Sequence, residues 1–122
     1  MLKRMPTHCK DNTCSSCVIA GDFIYLARHA GGYDKNDTAH QMRAAFESMK
    51  NTLHTVEATL NDMVQINLYM KDFSEFSIAR DIFYEYFDQN HFPARMSLTT
   101  EFVDSRCLCM LDGVAYKPCA ER

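Results

Sequence analysis

The chain has 122 residues, 47% of them hydrophobic and 24% charged, and a formal net charge of −3. That size and balance fit one domain with a single core. The acid surplus, with no basic block, excludes phosphate-backbone binding as the main activity, since clustered Lys and Arg drive it. No apolar run approaches the ~18 residues that would cross a bilayer, and the opening MLKRMPTHCK has no apolar stretch behind its charges. The expectation is a cytoplasmic protein with no membrane partner, whose six cysteines are free thiols.

One domain is expected over residues 1–122, opening with a loosely ordered lead-in over 1–12. CSSCVIAGDFIYLA then reads as two short strands turning at Ala20-Gly21-Asp22. HAGGYDKND is a loop, and a long helix follows it, with Thr38 and Gln41 as a capping box. Met42, Ala45, Phe46, Met49, Leu53, Val56 and Leu60 recur at three- and four-residue steps and mark its buried face. In MVQINLYMKD, Val64, Ile66, Leu68 and Met70 alternate with Gln65, Asn67, Tyr69 and Lys71, the period of a half-buried strand. Asp72 and Glu75 can cap a second helix whose inner face is Phe76, Ala79, Phe83 and Phe87. Pro93 stops that region, and RMSLTTEF and CLCMLDGVAY read as two final strands.

The order strand, strand, helix, strand, helix, strand, strand predicts an α+β domain: a mixed sheet with both helices packed on one face. The uncovered face calls for oligomerisation.

Among candidate chemistries, Cys14-Ser-Ser-Cys17 has CxxC spacing, with Cys107 and Cys109 far downstream. A zinc site would need four ligands converging in a tetrahedron, but a Cys-x-Cys pair inside a strand points to opposite faces. Buried thiols or a reactive thiol are therefore the readings kept, with no metal and no cofactor expected. The histidines form no HExxH set, and Gly31-Gly32 lacks the pattern of a phosphate loop. Arg95 differs, because the strand alternation places it with Ser97, Thr99 and Glu101. A guanidinium beside small hydroxyls is a carboxylate clamp.

NDMVQINLYMKDFSEF, IFYEYF, FPAR and the closing DGVAY, in this order, resemble the RidA-like family (YjgF, reactive intermediate deaminase), whose members also go by L-PSP endoribonuclease or translation inhibitor. The resemblance covers roughly residues 14–116 and implies a chorismate-mutase-like fold assembled as a homotrimer with clefts between subunits. It also implies that Arg95 binds the carboxylate of a reactive enamine or imine, such as 2-aminoacrylate. Water hydrolyses that compound to a 2-keto acid and ammonia without a metal or organic cofactor. The chain departs from the family at three places. Cys14 falls where the family has a tyrosine, Ala27-Arg28 where it has Ser-Gly, and Met110 where it has the glutamate that positions water; a two-residue slip would bring Asp112 there instead.

The pocket thus implied contains Arg95, Ser97, Cys14, Ala27, Arg28, Cys107 and Met110. Two readings stay open: hydrolysis of 2-imino or enamine acids, or binding of a small 2-keto or 2-imino carboxylate without turnover. Ribonuclease or translation-inhibitor activity has the least chemical support, with no histidine pair or basic groove, so a nucleic-acid partner is not expected. Thiol chemistry at Cys14 is a minor option.

Overall fold

The computed structural model describes residues 2–122. Six strands form one sheet in the order β1-β2-β3-β6-β4-β5. They are β1 (Leu2–Arg4), β2 (Cys17–Ala20), β3 (Phe23–His29), β4 (Met63–Met70), β5 (Ala94–Thr99) and β6 (Cys109–Tyr116). Helices α1 (Thr38–Thr55) and α2 (Phe76–Tyr86) cover one face. The last strand enters the middle of the sheet, antiparallel to both β3 and β4, while β4 and β5 run parallel through the α2 crossover. This is the mixed sheet with two helices on one side that the element order predicts. Leu2–Arg4, placed in an irregular lead-in by the sequence reading, pairs with β2 instead.

Helix α1 is capped by Asp37, whose side chain accepts from the His40 amide at 2.8 Å, rather than by Thr38. Thr38 is the first helical residue and bonds Glu75 across the helix layer at 3.2 Å. The helix ends at Thr55, where Ala58 N–H reaches back to the Leu53 carbonyl and Glu57 adopts φ +62. That left-handed residue turns the chain into β4. Met42, Ala45, Phe46, Met49 and Leu53 are fully buried, and Val56 and Leu60 nearly so, as their spacing predicts. Gln41 is buried and polar: its amide donates to the Lys35 and Arg106 carbonyls and its oxygen accepts from the Leu108 amide, fastening the segment before β6 to α1.

The sheet departs from simple alternation at two bulges. Between β4 and β6 the register runs Met63↔Ala115 and then Gln65↔Val114, so Val64 is an extra residue and lies 46% exposed instead of in the core. The same kink brings the Gln65 carbonyl oxygen against Gly113, where an added Cβ would collide with it. A second irregularity between Leu26 and His29 places Ala27 and Arg28 at a bulge on β3.

Beyond the bulges, paired residues share faces. Leu26, Gly113, Ile66 and Arg95 form one row on the helix side, followed by the row Leu111, Leu68 and Ser97. On the other side lie Tyr25 and Val114, then Asp112, Asn67 and Met96, then Met110, Tyr69 and Leu98. Among the described residues no helix covers this second face, and Tyr25 is 50% and Met96 58% exposed.

His29, at the end of β3, is fully buried. Its Nδ1 donates to the Ala27 carbonyl at 2.6 Å, so Nε2 is the acceptor for the Thr52 hydroxyl at 2.7 Å. His8 stacks on its ring at 3.9 Å. Burial, reinforced by His8, lowers the His29 pKa to about 4.

Two outcomes test these features. Gly113→Ala should lower stability by about 3 kcal/mol, read as a shift of the urea midpoint. Gly21→Ala, at φ +62 with open space around it, should cost only about 1 kcal/mol. Because the unfolded chain protonates His29 near pH 6.5 and the folded chain near 4, its stabilising contribution is complete above pH 6.5. It is lost as pH falls toward 4, on the order of 3 kcal/mol in all. Urea midpoints at pH 7 and pH 4 should therefore converge more closely in His29→Gln than in the wild type.

Candidate functional site

Two groups of side chains stand out, one on each face of the sheet. The first surrounds Arg95 on β5, the edge strand. Arg95 extends the core row of Ile66 and Gly113 to the sheet's rim, so its side chain stands on the helix side. The guanidinium carbon lies 5.5 Å from the Phe76 ring centre and 5.2 Å from that of Phe83, both on α2. Such stacking suits a planar, weakly hydrated cation. Arg95 Nε donates to Ser97 Oγ at 3.1 Å, two residues along the same face. Arg43, Arg80 and Arg106 each hold a carboxylate, but Arg95 pairs with none among the described residues. Its terminal nitrogens are left for another acceptor. A small cleft of about 230 Å³ adjoins it, lined by Arg80, Phe83, Tyr84, Phe92, Pro93 and Arg95. Pro93 begins this arrangement, because it biases Phe92 to extended backbone just before β5 starts at Ala94.

The second group lies on the uncovered face. Asp112 on β6 accepts from Asn67 Nδ2 at 2.8 Å and from the Tyr69 hydroxyl at 2.8 Å, both on neighbouring β4. Tyr69 pairs directly with Met110, so Met110 sits one pleat from Asp112 on the same side. Burial first, and then the bond to Asp112, raise the Tyr69 pKa, which keeps that hydroxyl a donor; the Arg28 charge acts in the opposite sense. The Asn67 Oδ1 is buried without a hydrogen-bond partner. A buried carbonyl oxygen left unpaired is costly and marks a place where a donor from outside the chain would be welcome.

Of the remaining sequence-derived candidates, Arg28 lies close enough for its charge to act on Tyr69, and the others lie elsewhere. Ala27 sits at the β3 bulge, where its carbonyl serves His29, and Arg28 is exposed there with its own carbonyl bonded to His8 at 2.9 Å. Cys14 is exposed in the loop before β2, not on a strand, while Cys17 is buried on β2. Cys107 precedes β6 instead of lying within it and is fully buried, its thiol donating to the Cys109 carbonyl at 3.3 Å. Burial raises the Cys107 pKa and pushes Cys109 up to about 12, so neither is a thiolate near neutral pH. Among the described residues no three His, Cys, Asp or Glu side chains lie close enough to hold a metal ion.

The chain thus brings Arg95 and Ser97 together, and Arg28, Met110, Tyr69 and Asp112 together, but on opposite faces. Cys14 and Cys107 join neither group. Tyr69 and Asn67 were absent from the sequence-derived set, and Asp112 entered it only through an alignment slip. Their shared alternation with Met110 across two strands is the signal that links them.

Comparison with known proteins agrees with this architecture. Residues 11–115 match the family model described as Endoribonuclease L-PSP. A RutC family protein of Pyrococcus abyssi is 28% identical over 109 residues, covering 84% of this chain and 85% of that protein. The 2-iminobutanoate/2-iminopropanoate deaminase of Dermatophagoides farinae is 27% identical over 90 residues, covering 69% of this chain and 70% of that protein. The structure of a Streptococcus pyogenes M1 GAS protein, a member of the yjgF family, superposes with a TM-score of 0.85 at 30% identity, covering 96% of this chain and 97% of that one. With the family model spanning all but the two ends, and the same six-stranded, two-helix fold in a solved member, the chain belongs to the Endoribonuclease L-PSP family, the YjgF/RidA-like proteins.

Proposed function

We propose that the chain forms a homotrimer in the cytoplasm and binds a small 2-imino or 2-keto carboxylate in the clefts between subunits, with Arg95 as the anchor. The observation that carries this is the unpaired Arg95 guanidinium, stacked on Phe76 and Phe83 and steadied by Ser97. A preorganised fork with free terminal nitrogens is what a carboxylate needs for two parallel hydrogen bonds. The uncovered sheet face, with Tyr25, Met96 and Leu98 exposed, supports assembly. In a trimer, the rim of one subunit would meet the Arg28, Tyr69, Asp112 and Met110 face of the next, joining two groups that one chain keeps apart. The mite relative's deaminase name supports the ligand class.

Hydrolysis of a 2-imino acid adds water across C=N and expels ammonia, leaving the 2-keto acid. The attacking water must lose a proton and the nitrogen must gain one, so an acid–base group within hydrogen-bond reach matters. At the position where the family resemblance places a glutamate, Met110 has a thioether that can neither accept that proton nor orient water. Asp112, one pleat away, already accepts from Asn67 and Tyr69. Binding is therefore the primary function, and any turnover rests on the intrinsic lability of the imine.

In practice, 2-aminoacrylate is generated in situ by a serine or cysteine lyase and pyruvate release is followed with each variant. Wild type should add little to spontaneous release, and Met110→Glu should raise it. Binding of pyruvate or 2-oxobutanoate, followed by thermal shift, should weaken about 10- to 100-fold in Arg95→Ala. Arg95→Lys should fall between, since it keeps the charge but not the fork. Unchanged binding in Arg95→Ala would sink the proposal.

A further inference from the structure

The segment 7–14, ahead of β2, carries two exposed thiols that the proposed cleft does not use, Cys9 and Cys14. The segment is wound on itself around Asp11. The Asp11 carboxylate accepts from the Thr13 amide at 2.9 Å, and its carbonyl accepts from the Thr7 hydroxyl at 2.9 Å. Both sulfurs converge on that same carbonyl oxygen, Cys9 Sγ at 3.8 Å and Cys14 Sγ at 3.8 Å. Thr7 Oγ1 stands 3.3 Å from Cys9 Sγ.

The other four cysteines differ. Cys17, Cys107 and Cys109 are buried, and Cys119, though exposed, bonds Arg122 and the Gly21 carbonyl. Among the described residues, the pair at 9 and 14 combines exposure with two sulfurs that share one acceptor, the Asp11 carbonyl. Its contact with Thr7, more than any other, holds the Cys9 thiol below its ordinary pKa, whereas burial raises Cys17, Cys107 and Cys109. Thiolate character and access decide which cysteine an oxidant meets first.

We infer that Cys9 and Cys14 form a hydroperoxide-reactive dithiol, with Cys9 as the attacking thiol and Cys14 as the resolving one. The Cys9 thiolate attacks the terminal peroxide oxygen, the O–O bond breaks, and the departing alkoxide or hydroxide takes up a proton. Cys9 becomes a sulfenic acid. The Cys14 sulfur then attacks the Cys9 sulfur, the S–O bond breaks, and the hydroxyl leaves as water with the proton from Cys14. Two thiols and one hydrogen peroxide give one disulfide and two waters, the thiols being oxidised and the peroxide reduced. The bond closes a loop within six residues of sequence and leaves the sheet untouched.

The full chain, folded and reduced, is exposed to limiting hydrogen peroxide, quenched by alkylation, digested with trypsin and mapped by mass spectrometry. Cleavage after Lys10 separates Cys9 from Cys14, so a disulfide appears as two linked peptides, and fragmentation separates Cys14 from Cys17. The expected result is a Cys9–Cys14 link that accounts for the first two thiols lost and is reversed by dithiothreitol. Cys9→Ser should abolish the link and slow the loss of the first two thiols, because the attacking sulfur is gone. Cys14→Ser should leave a Cys9 sulfenic acid that dimedone traps. Circular dichroism checks that both variants fold; if either does not, the wild-type map alone decides. Oxidation of Cys119 before Cys9, a link only between chains, or direct passage of Cys9 to the sulfinic acid in wild type would overturn the inference.

Discussion

The close passage of the Gln65 carbonyl over Gly113 sets the geometry of everything around it. At that point Val64 is squeezed out of the β4–β6 ladder, and every later residue of β4 is assigned to its face. Ile66 and Leu68 then point to the helices, and Asn67 and Tyr69 to the uncovered side. Because β5 pairs with β4 in register, the same bulge places Arg95 over α2 instead of on the open face. A slip of one residue would exchange both sets. The face of the arginine is thus decided two strands away, by a glycine without a side chain to obstruct its neighbour.

Buried polar contacts fix what the bulges leave loose. Gln41 ties the segment before β6 to α1 through two hydrogen bonds, which sets where the central strand begins and hence the height of Met110 and Asp112. His29 joins Thr52 of the same helix to the β3 bulge, and His8 adds the segment 7–14 to that stack. Such groups are costly to bury unless each is paired, so they specify one arrangement where apolar packing would tolerate several. Arg28 is held at the end of this chain of contacts by its backbone, and its side chain remains free for the open face.

The helices and the core were readable from residue order because their signal is periodic. The α1 stripe from Met42 to Leu53 is buried throughout, Val56 and Leu60 are buried just past the end of the helix instead of on it, and the parallel crossover through α2 follows from Pro93 and the strand after it. Features set by pairing were not readable in this way. Val64 alternates with Ile66 as a core residue would, and only the ladder with β6 reveals it as the bulged one. Leu2–Arg4 has three exposed side chains and no alternation, so its strand exists through backbone pairing with β2. Thr38 and Asp37 are both good caps, and one residue of register decided between them. The identity of Arg95 could be read from FPAR, but its face could not. Asp112 was hidden because its partners, Asn67 and Tyr69, lie 45 and 43 residues away in sequence.

The composition of the two groups bears on what a cleft joining them can do. A guanidinium that holds a carboxylate grips it equally before and during attack on the neighbouring carbon, because the carboxylate keeps its charge throughout. Such uniform binding raises affinity without lowering the barrier from the bound state. Acceleration needs a group whose interaction grows as the reaction proceeds: a base that gains a proton or a donor that meets developing charge. Tyr69 is a donor, but its hydrogen is already given to Asp112, and each Asp112 oxygen already accepts one hydrogen bond that stabilises the charged carboxylate. Met110 offers neither function. A cleft built from these parts would keep the anchor without a free group that gains or gives a proton as the reaction proceeds, which is why the proposed role is binding before turnover.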